Sequence, residues 1–167
     1  MIITKMNESH VQQIANLEKL CFNDPWSVNS IASELNNNLA VWLVALENDE
    51  VVGYVGSQTV LDGSDMMNIA VSPDHRRKGI AEALIDELVH QLQERNSRCL
   101  ILEVRASNTP AINLYTKLGF IEIGCRRNYY RNPREDALIL RKEWVICRYR
   151  YHMIYLQPEH CSKRISL

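Results

Sequence analysis

The stretch DMMNIAVSPDHRRKGIAEALIDELVHQL, Asp65 to Leu92, changes character twice. Asp65 to Val71 reads as a strand that stops at Ser72-Pro73, and the basic run His75-Arg76-Arg77-Lys78-Gly79 follows. Then Ile80, Ala81, Leu84, Ile85, Leu88, Val89 and Leu92 form a stripe at helical spacing, with Glu82, Asp86, Glu87 and Gln91 on the opposite face. A strand feeding a long amphipathic helix through a short loop is the first half of a crossover. Cys99 to Val104 supplies the returning strand.

Upstream, Met1 to Met6 predicts a strand, and Val11, Ile14, Leu17, Leu20 and Cys21 place a helix after Asn7. Asp24-Pro25 is expected to open a second short helix carrying Val28, Ile31, Ala32 and Leu35, with Trp26 at its start. Leu39 to Leu46 and Val51 to Val60 flank the polar turn Glu47-Asn48-Asp49-Glu50, which predicts a hairpin. Downstream, Pro110 to Leu118 reads as a helix, and Phe120 to Arg127 and Ala137 to Leu140 as strands. The resulting order, βα(α)βββαβαββ, implies an α/β domain with a mixed central sheet flanked by helices. Residues 1–144 are assigned to it. Residues 145–167 read as a basic C-terminal extension, in which Tyr149 to Leu156 is either an extra strand or a partner-binding arm.

With 167 residues, 46% hydrophobic and 23% charged, the chain has the make-up of one globular domain, and a net charge of −1 gives no bulk reason to bind nucleic acid or an anionic membrane. Its five cysteines are odd in number and never spaced CxxC, which fits neither a disulfide scaffold nor a zinc knuckle and suggests a reducing cytoplasm. The longest apolar run, Leu39 to Leu46, is far below the roughly 20 residues a membrane span needs, and no leader is read at the N-terminus. His10, His75, His90, His152 and His160 lack ligand spacing, so no metal is expected.

Three segments offer chemistry. Arg76, Arg77, Lys78, Gly79, Ile80 and Ala81 lie where a helix begins, and free amides, a positive dipole end and basic side chains together suit a pyrophosphate. Read alone, the same loop is also a solvated turn. Glu103, acidic within the apolar strand CLILEV, is a candidate base if desolvation raises its basicity; the alternative is an exposed carboxylate or a pair with Arg105. Tyr115 is either a core-margin tyrosine or an acid, and Asn108 either a helix cap or a ligand-binding amide. Trp26, Tyr129 and Tyr130 are candidates to line a peptide groove or to pack at the core rim.

In this order the segments resemble the GNAT acetyltransferases, over roughly residues 1 to 144. The family's signature, Gln/Arg-x-x-Gly-x-Gly/Ala, is matched by Arg76-Arg77-Lys78-Gly79-Ile80-Ala81, directly after the strand Asn68 to Val71. LEVRASN (Leu102 to Asn108), AINLYTKLGF (Ala111 to Phe120), RRNYY (Arg126 to Tyr130) and EDALIL (Glu135 to Leu140) are similar to the RimI-like branch, which acetylates the N-terminal alanine of a small-subunit ribosomal protein.

The resemblance implies a splayed sheet holding acetyl-CoA between the strand ending at Val71 and the strand of Glu103. The backbone of Ile69, Ala70 and Val71 would bond the pantetheine and acetyl carbonyl, the 76–81 loop would take the pyrophosphate, and Asn108 would touch the co-substrate. Glu103 would be the general base and Tyr115 the general acid, with a ribosomal protein N-terminus as partner. RimI-like chains stop near Trp144, so the extension has no counterpart. A lysine or small-molecule amine acceptor, and a non-catalytic acyl-CoA or ribosome-binding module, remain the alternatives, and the oligomeric state stays open.

Overall fold

The computed structural model describes residues 1–144, so the proposed strand at Tyr149 to Leu156 lies outside the described residues. Seven strands form one sheet in the order β1-β2-β3-β4-β5-β7-β6, where β1 is Ile2–Lys5, β2 Ala40–Glu47, β3 Glu50–Val60, β4 Gly63–Val71, β5 Cys99–Arg105, β6 Ile121–Arg131 and β7 Arg134–Glu143. Only β4 and β5 run parallel; every other neighbouring pair is antiparallel. The helices are α1 (Glu8–Cys21), α2 (Val28–Ser33), α3 (Ile80–Glu94) and α4 (Thr109–Lys117). The expected α/β order and mixed sheet are therefore present.

Alternation along β2 shows why helices cover both faces. Val41, Leu43 and Ala45 point into one core with Ile80, Leu84, Leu88 and Leu92 of α3, while Ala40, Trp42 and Val44 point into a second core with Val11, Ile14 and Leu17 of α1. The α3 stripe is fully packed, with Leu84, Ile85, Leu88 and Leu92 at 0% exposure. Each such leucine contributes about 1.5–3 kcal/mol of burial, which is what holds the crossover helix on the sheet.

At the β2–β3 turn, Asn48 and Asp49 adopt φ of 51° and 64°, the left-handed pair that a tight hairpin demands. The start of α2 departs from expectation. Ser27, not Asp24, is its N-cap, because the Ser27 hydroxyl accepts the Ser30 N–H at 3.0 Å. Asp24, Pro25 and Trp26 remain in the α1–α2 loop. The last strand is longer than Ala137 to Leu140, because β7 is ladder-bonded on both sides, to β5 and to β6.

Candidate active site

The sheet is open where two strands should meet. β4 and β5 pair only from Gly63 with Cys99 to Asp65 with Ile101; Met66–Val71 and Leu102–Arg105 diverge toward their C-terminal ends. In α/β sheets the carboxyl ends of diverging strands are where ligands enter.

Which backbone groups face the wedge follows from register. The Ser72 N–H donates to Val52 O at 2.8 Å, so alternation turns the polar groups of Ala70 toward β3 and those of Ile69 and Val71 toward the opening. The expectation for Ile69, Ala70 and Val71 is thus corrected at Ala70, whose backbone is committed to the sheet and whose side chain is buried on the α1 side. A bulge between Gly56 and Ser57 of β3, opposite Met67, precedes this arm.

Beyond Val71 the chain turns through the basic loop into α3. Arg77 has φ of 62° and Gly79 φ of 80°, and no side chain caps α3. The first bond is from the Ala83 N–H to Gly79 O, which leaves the N–H groups of Ile80, Ala81 and Glu82 without intrahelical partners. A Cβ at Gly79 would meet nothing within 4 Å, so the mouth is open, and Arg76, Arg77 and Lys78 are exposed around it. Arg76 is the exception to the expected anion-binding role. Its Nε donates to Val71 O at 3.3 Å and its Nη2 to the Cys21 sulfur at 3.7 Å, which holds the side chain back along β4.

On the opposite arm Glu103 is partly exposed, at 25% of its side chain, and its Oε1 lies 3.2 Å from Arg126 Nη2. It is neither the isolated, desolvated carboxylate nor the partner of Arg105, because Arg105 pairs with Glu135 at 3.2 Å. Hydrogen bonding from Ser107, by its side chain and then its backbone N–H, and the Arg105 guanidinium hold Glu135 below the usual carboxylate range.

Tyr115 of α4 is buried, packed on Phe120 at 5.5 Å, and its hydroxyl has no hydrogen-bond partner among the described residues. Burial first, and then the neighbouring Tyr130 hydroxyl, push its phenol well above the ordinary tyrosine value. The Tyr130 hydroxyl donates to Glu103 O at 3.4 Å, and its ring lies under Arg105 at 4.1 Å and edge-on to Tyr129 at 5.1 Å. The structure therefore gathers Glu103, Tyr115, Tyr129 and Tyr130 on one side of the wedge. Asn108 caps α4, its Oδ1 accepting the Ala111 N–H at 3.3 Å, and its amide nitrogen has no partner among the described residues. Trp26 is not part of the Glu103 group; it packs against Trp42 at 5.5 Å in the α1 layer, and its N–H shares the Glu18 carboxylate with Asn68 of β4. Among the described residues no three His, Cys, Asp or Glu side chains converge as metal ligands.

The Acetyltransferase (GNAT) family model matches residues 11–120. The chain belongs to the GNAT acetyltransferase family. Among GNAT relatives, the [ribosomal protein bS18]-alanine N-acetyltransferase of Escherichia coli K12 is 36% identical over 140 residues, covering 83% of this chain and 94% of the relative. Its namesake in Haemophilus influenzae is 32% identical over 142 residues, covering 83% and 96%. The crystal structure of the ribosomal-protein-S18-alanine N-acetyltransferase from Escherichia coli superposes with a TM-score of 0.79 at 35% identity, over 85% of this chain and 92% of that one.

Sequence reasoning missed one GNAT-domain group outright. Glu18 of α1 is 1% exposed and accepts hydrogen bonds from Trp26 N–H at 3.0 Å, from the Tyr54 hydroxyl and from Asn68 Nδ2. The signal was present: Glu18 lies four residues after Ile14, on the apolar stripe.

Proposed function

We propose that this chain transfers the acetyl group of acetyl-CoA to the α-amine of an N-terminal alanine of the small-subunit ribosomal protein bS18. The observation that carries the reading is the wedge, whose one arm presents the backbone of Ile69 and Val71 and whose other arm presents Glu103. Relatives named for this activity, similar over most of their length, support the acceptor.

Acetyl-CoA supplies the acetyl group as an activated thioester. Its fit rests on the free amides of Ile80, Ala81 and Glu82 beside Arg77 and Lys78 for the pyrophosphate, and on the unpaired edge of β4 for the pantetheine arm. Asn108 offers its amide nitrogen alongside. The N–H groups of Ile69 and Val71 offset negative charge developing on the carbonyl oxygen. An α-amine has a pKa of about 7.7–8.0, against about 10.4 for lysine, so roughly a tenth is already neutral near pH 7. Glu103 takes its proton directly or through a water as the N–C bond forms and the C–S bond breaks.

Tyr115 hydrogen-bonds the leaving sulfur. A phenol ordinarily has a pKa of about 10 against about 8.5 for a thiol, so outright transfer is uphill by about 2 kcal/mol before burial makes the phenol weaker still. Tyr115 is therefore a donor that hands a proton on. Tyr129 and Tyr130, beside Glu103, line the acceptor path, and Trp26 borders it from the α1–α2 loop.

Among the described residues no helix is long and apolar enough to cross a membrane, and Cys21, Cys99 and Cys125 are free thiols, which suits a cytoplasmic setting. Mass spectrometry of the bS18 N-terminal peptide from cells lacking this chain tests the proposal, with acetylation expected to be lost. Unchanged acetylation would discard that acceptor. An acceptor panel in which polyamines or lysine outrun alanine-starting peptides would move the chemistry to those amines.

A further inference from the structure

The Glu18 carboxylate is buried with no cation paired to it among the described residues. Three neutral donors hold it, and each comes from a different element. Trp26 N–H belongs to the α1–α2 loop, the Tyr54 hydroxyl to β3 and Asn68 Nδ2 to β4. Asn68 immediately precedes Ile69, whose backbone faces the wedge.

An aromatic path links the same elements. Trp26 packs on Trp42 at 5.5 Å, and Trp42 stacks on Tyr54 at 5.8 Å with 14° between the planes. The loop itself begins at the wide end of the wedge, since the Cys21 thiol, at the end of α1, donates to Val71 O at 3.7 Å. Burying an unpaired charge is a poor way to gain stability, and apolar residues fill such space more cheaply. What one carboxylate does that an apolar side chain cannot is fix three donors from three elements in a single geometry.

We propose that Glu18 is a positioning residue, which registers the Trp26 loop on the acceptor side against the Asn68–Ile69 segment on the thioester side. The proposal rests on the acetyl-transfer reading above. Misplacement of reacting partners by about 1 Å costs roughly a hundredfold in rate, so a residue remote from the reacting atoms can govern turnover.

The test uses the full chain, with three readouts: steady-state acetylation of an alanine-starting peptide, calorimetric CoA affinity, and hydrogen exchange of the amides of residues 22–27. In Glu18→Gln the glutamine keeps one acceptor oxygen but turns an NH₂ donor on one of the three donors. The expected result is a roughly 10–100-fold loss of peptide kcat/KM, mainly in kcat, with CoA affinity within about twofold and faster exchange confined to residues 22–27.

Asn68→Ala, which removes the strand-side donor and retains the charge with its other two, is expected to give a loss of the same kind. The two losses should not multiply when combined. If Glu18→Gln does not fold, Asn68→Ala carries the test. Peptide turnover unchanged in the folded variants, or peptide and CoA parameters falling together, would overturn the proposal. Should the parent chain fail to acetylate the peptide, the acceptor reading falls separately. The tether is then judged on exchange alone, where unaltered protection at residues 22–27 overturns it.

Discussion

Arg126 on β6 reaches across β7 to Glu103 on β5, Nη2 to Oε1 at 3.2 Å, although Arg126 registers with Ala137 of β7 and Glu103 with Ile139, two residues further along. The contact places a cation beside the candidate base at the rim of the wedge. Glu103→Gln keeps the size of the side chain and removes its proton affinity, so turnover should fall by roughly 10²–10⁴-fold. CoA affinity should stay within about twofold, since the proposed co-substrate contacts lie elsewhere; calorimetry beside a thiol-release assay reads both.

The same ion pair is half open to water, so it holds little of the fold. Arg126→Ala should shift unfolding free energy by no more than about 1 kcal/mol. A urea titration checks this.

Tyr115 sets an alkaline signature. Its phenol titrates above its unfolded value, so the unfolded chain loses that proton first as pH rises. The stabilising contribution is complete below pH of about 10 and declines above it, by up to about 1.4 kcal/mol per pH unit for the one group. Urea midpoints between pH 9 and 11 should fall, and Tyr115→Phe should make the fall shallower. Because this group stays protonated through the working range, it produces no alkaline limb in kcat below pH of about 10. Losing a hydrogen bond to a developing thiolate should cost roughly 10–100-fold in kcat, less than the loss of Glu103.

The basic loop should be unequal in its effects. Arg77→Ala and Lys78→Ala should each weaken CoA binding by roughly threefold to tenfold at low salt, and less at high salt. Arg76→Ala should weaken it less, because that guanidinium is engaged with Val71 O and Cys21. Isothermal titration at two ionic strengths orders the three.

Gly56 has no room for a methyl group. A Cβ there would lie 2.6 Å from two carbons of the Trp42 ring, so Gly56→Ala should destabilise the domain by about 1–3 kcal/mol, seen as a lower thermal midpoint.

Local patterns carried most of the fold. The α3 stripe, the Asn48-Asp49 turn and the alternation along β2 are each written within a few residues of one another, where periodicity is informative. The N-cap of α2 was misplaced because Asp24-Pro25 and Ser27 both carry start signals, and only the Ser30 N–H decides between them. The splay was legible only through the family resemblance, since β4 alternates identically where it is paired and where it is free. Glu103 was found as an acid in an apolar strand, but its partner lies 23 residues away on a strand that does not adjoin β5. Glu18 stands out as a carboxylate on the apolar stripe of α1, but its partners Tyr54 and Asn68 come from β3 and β4, 36 and 50 residues away.

Since β4 and β5 share only three register pairs, the sheet is two half-sheets zipped at one end. In the proposed binding mode a pantetheine chain against Ile69 and Val71 would stand in for a missing neighbour, so saturation with CoA would complete the architecture. At a hundred times its dissociation constant, such a ligand adds about 2.7 kcal/mol of resistance to unfolding. Starved of its thioester, the molecule is an unfinished barrier to proteases along that seam.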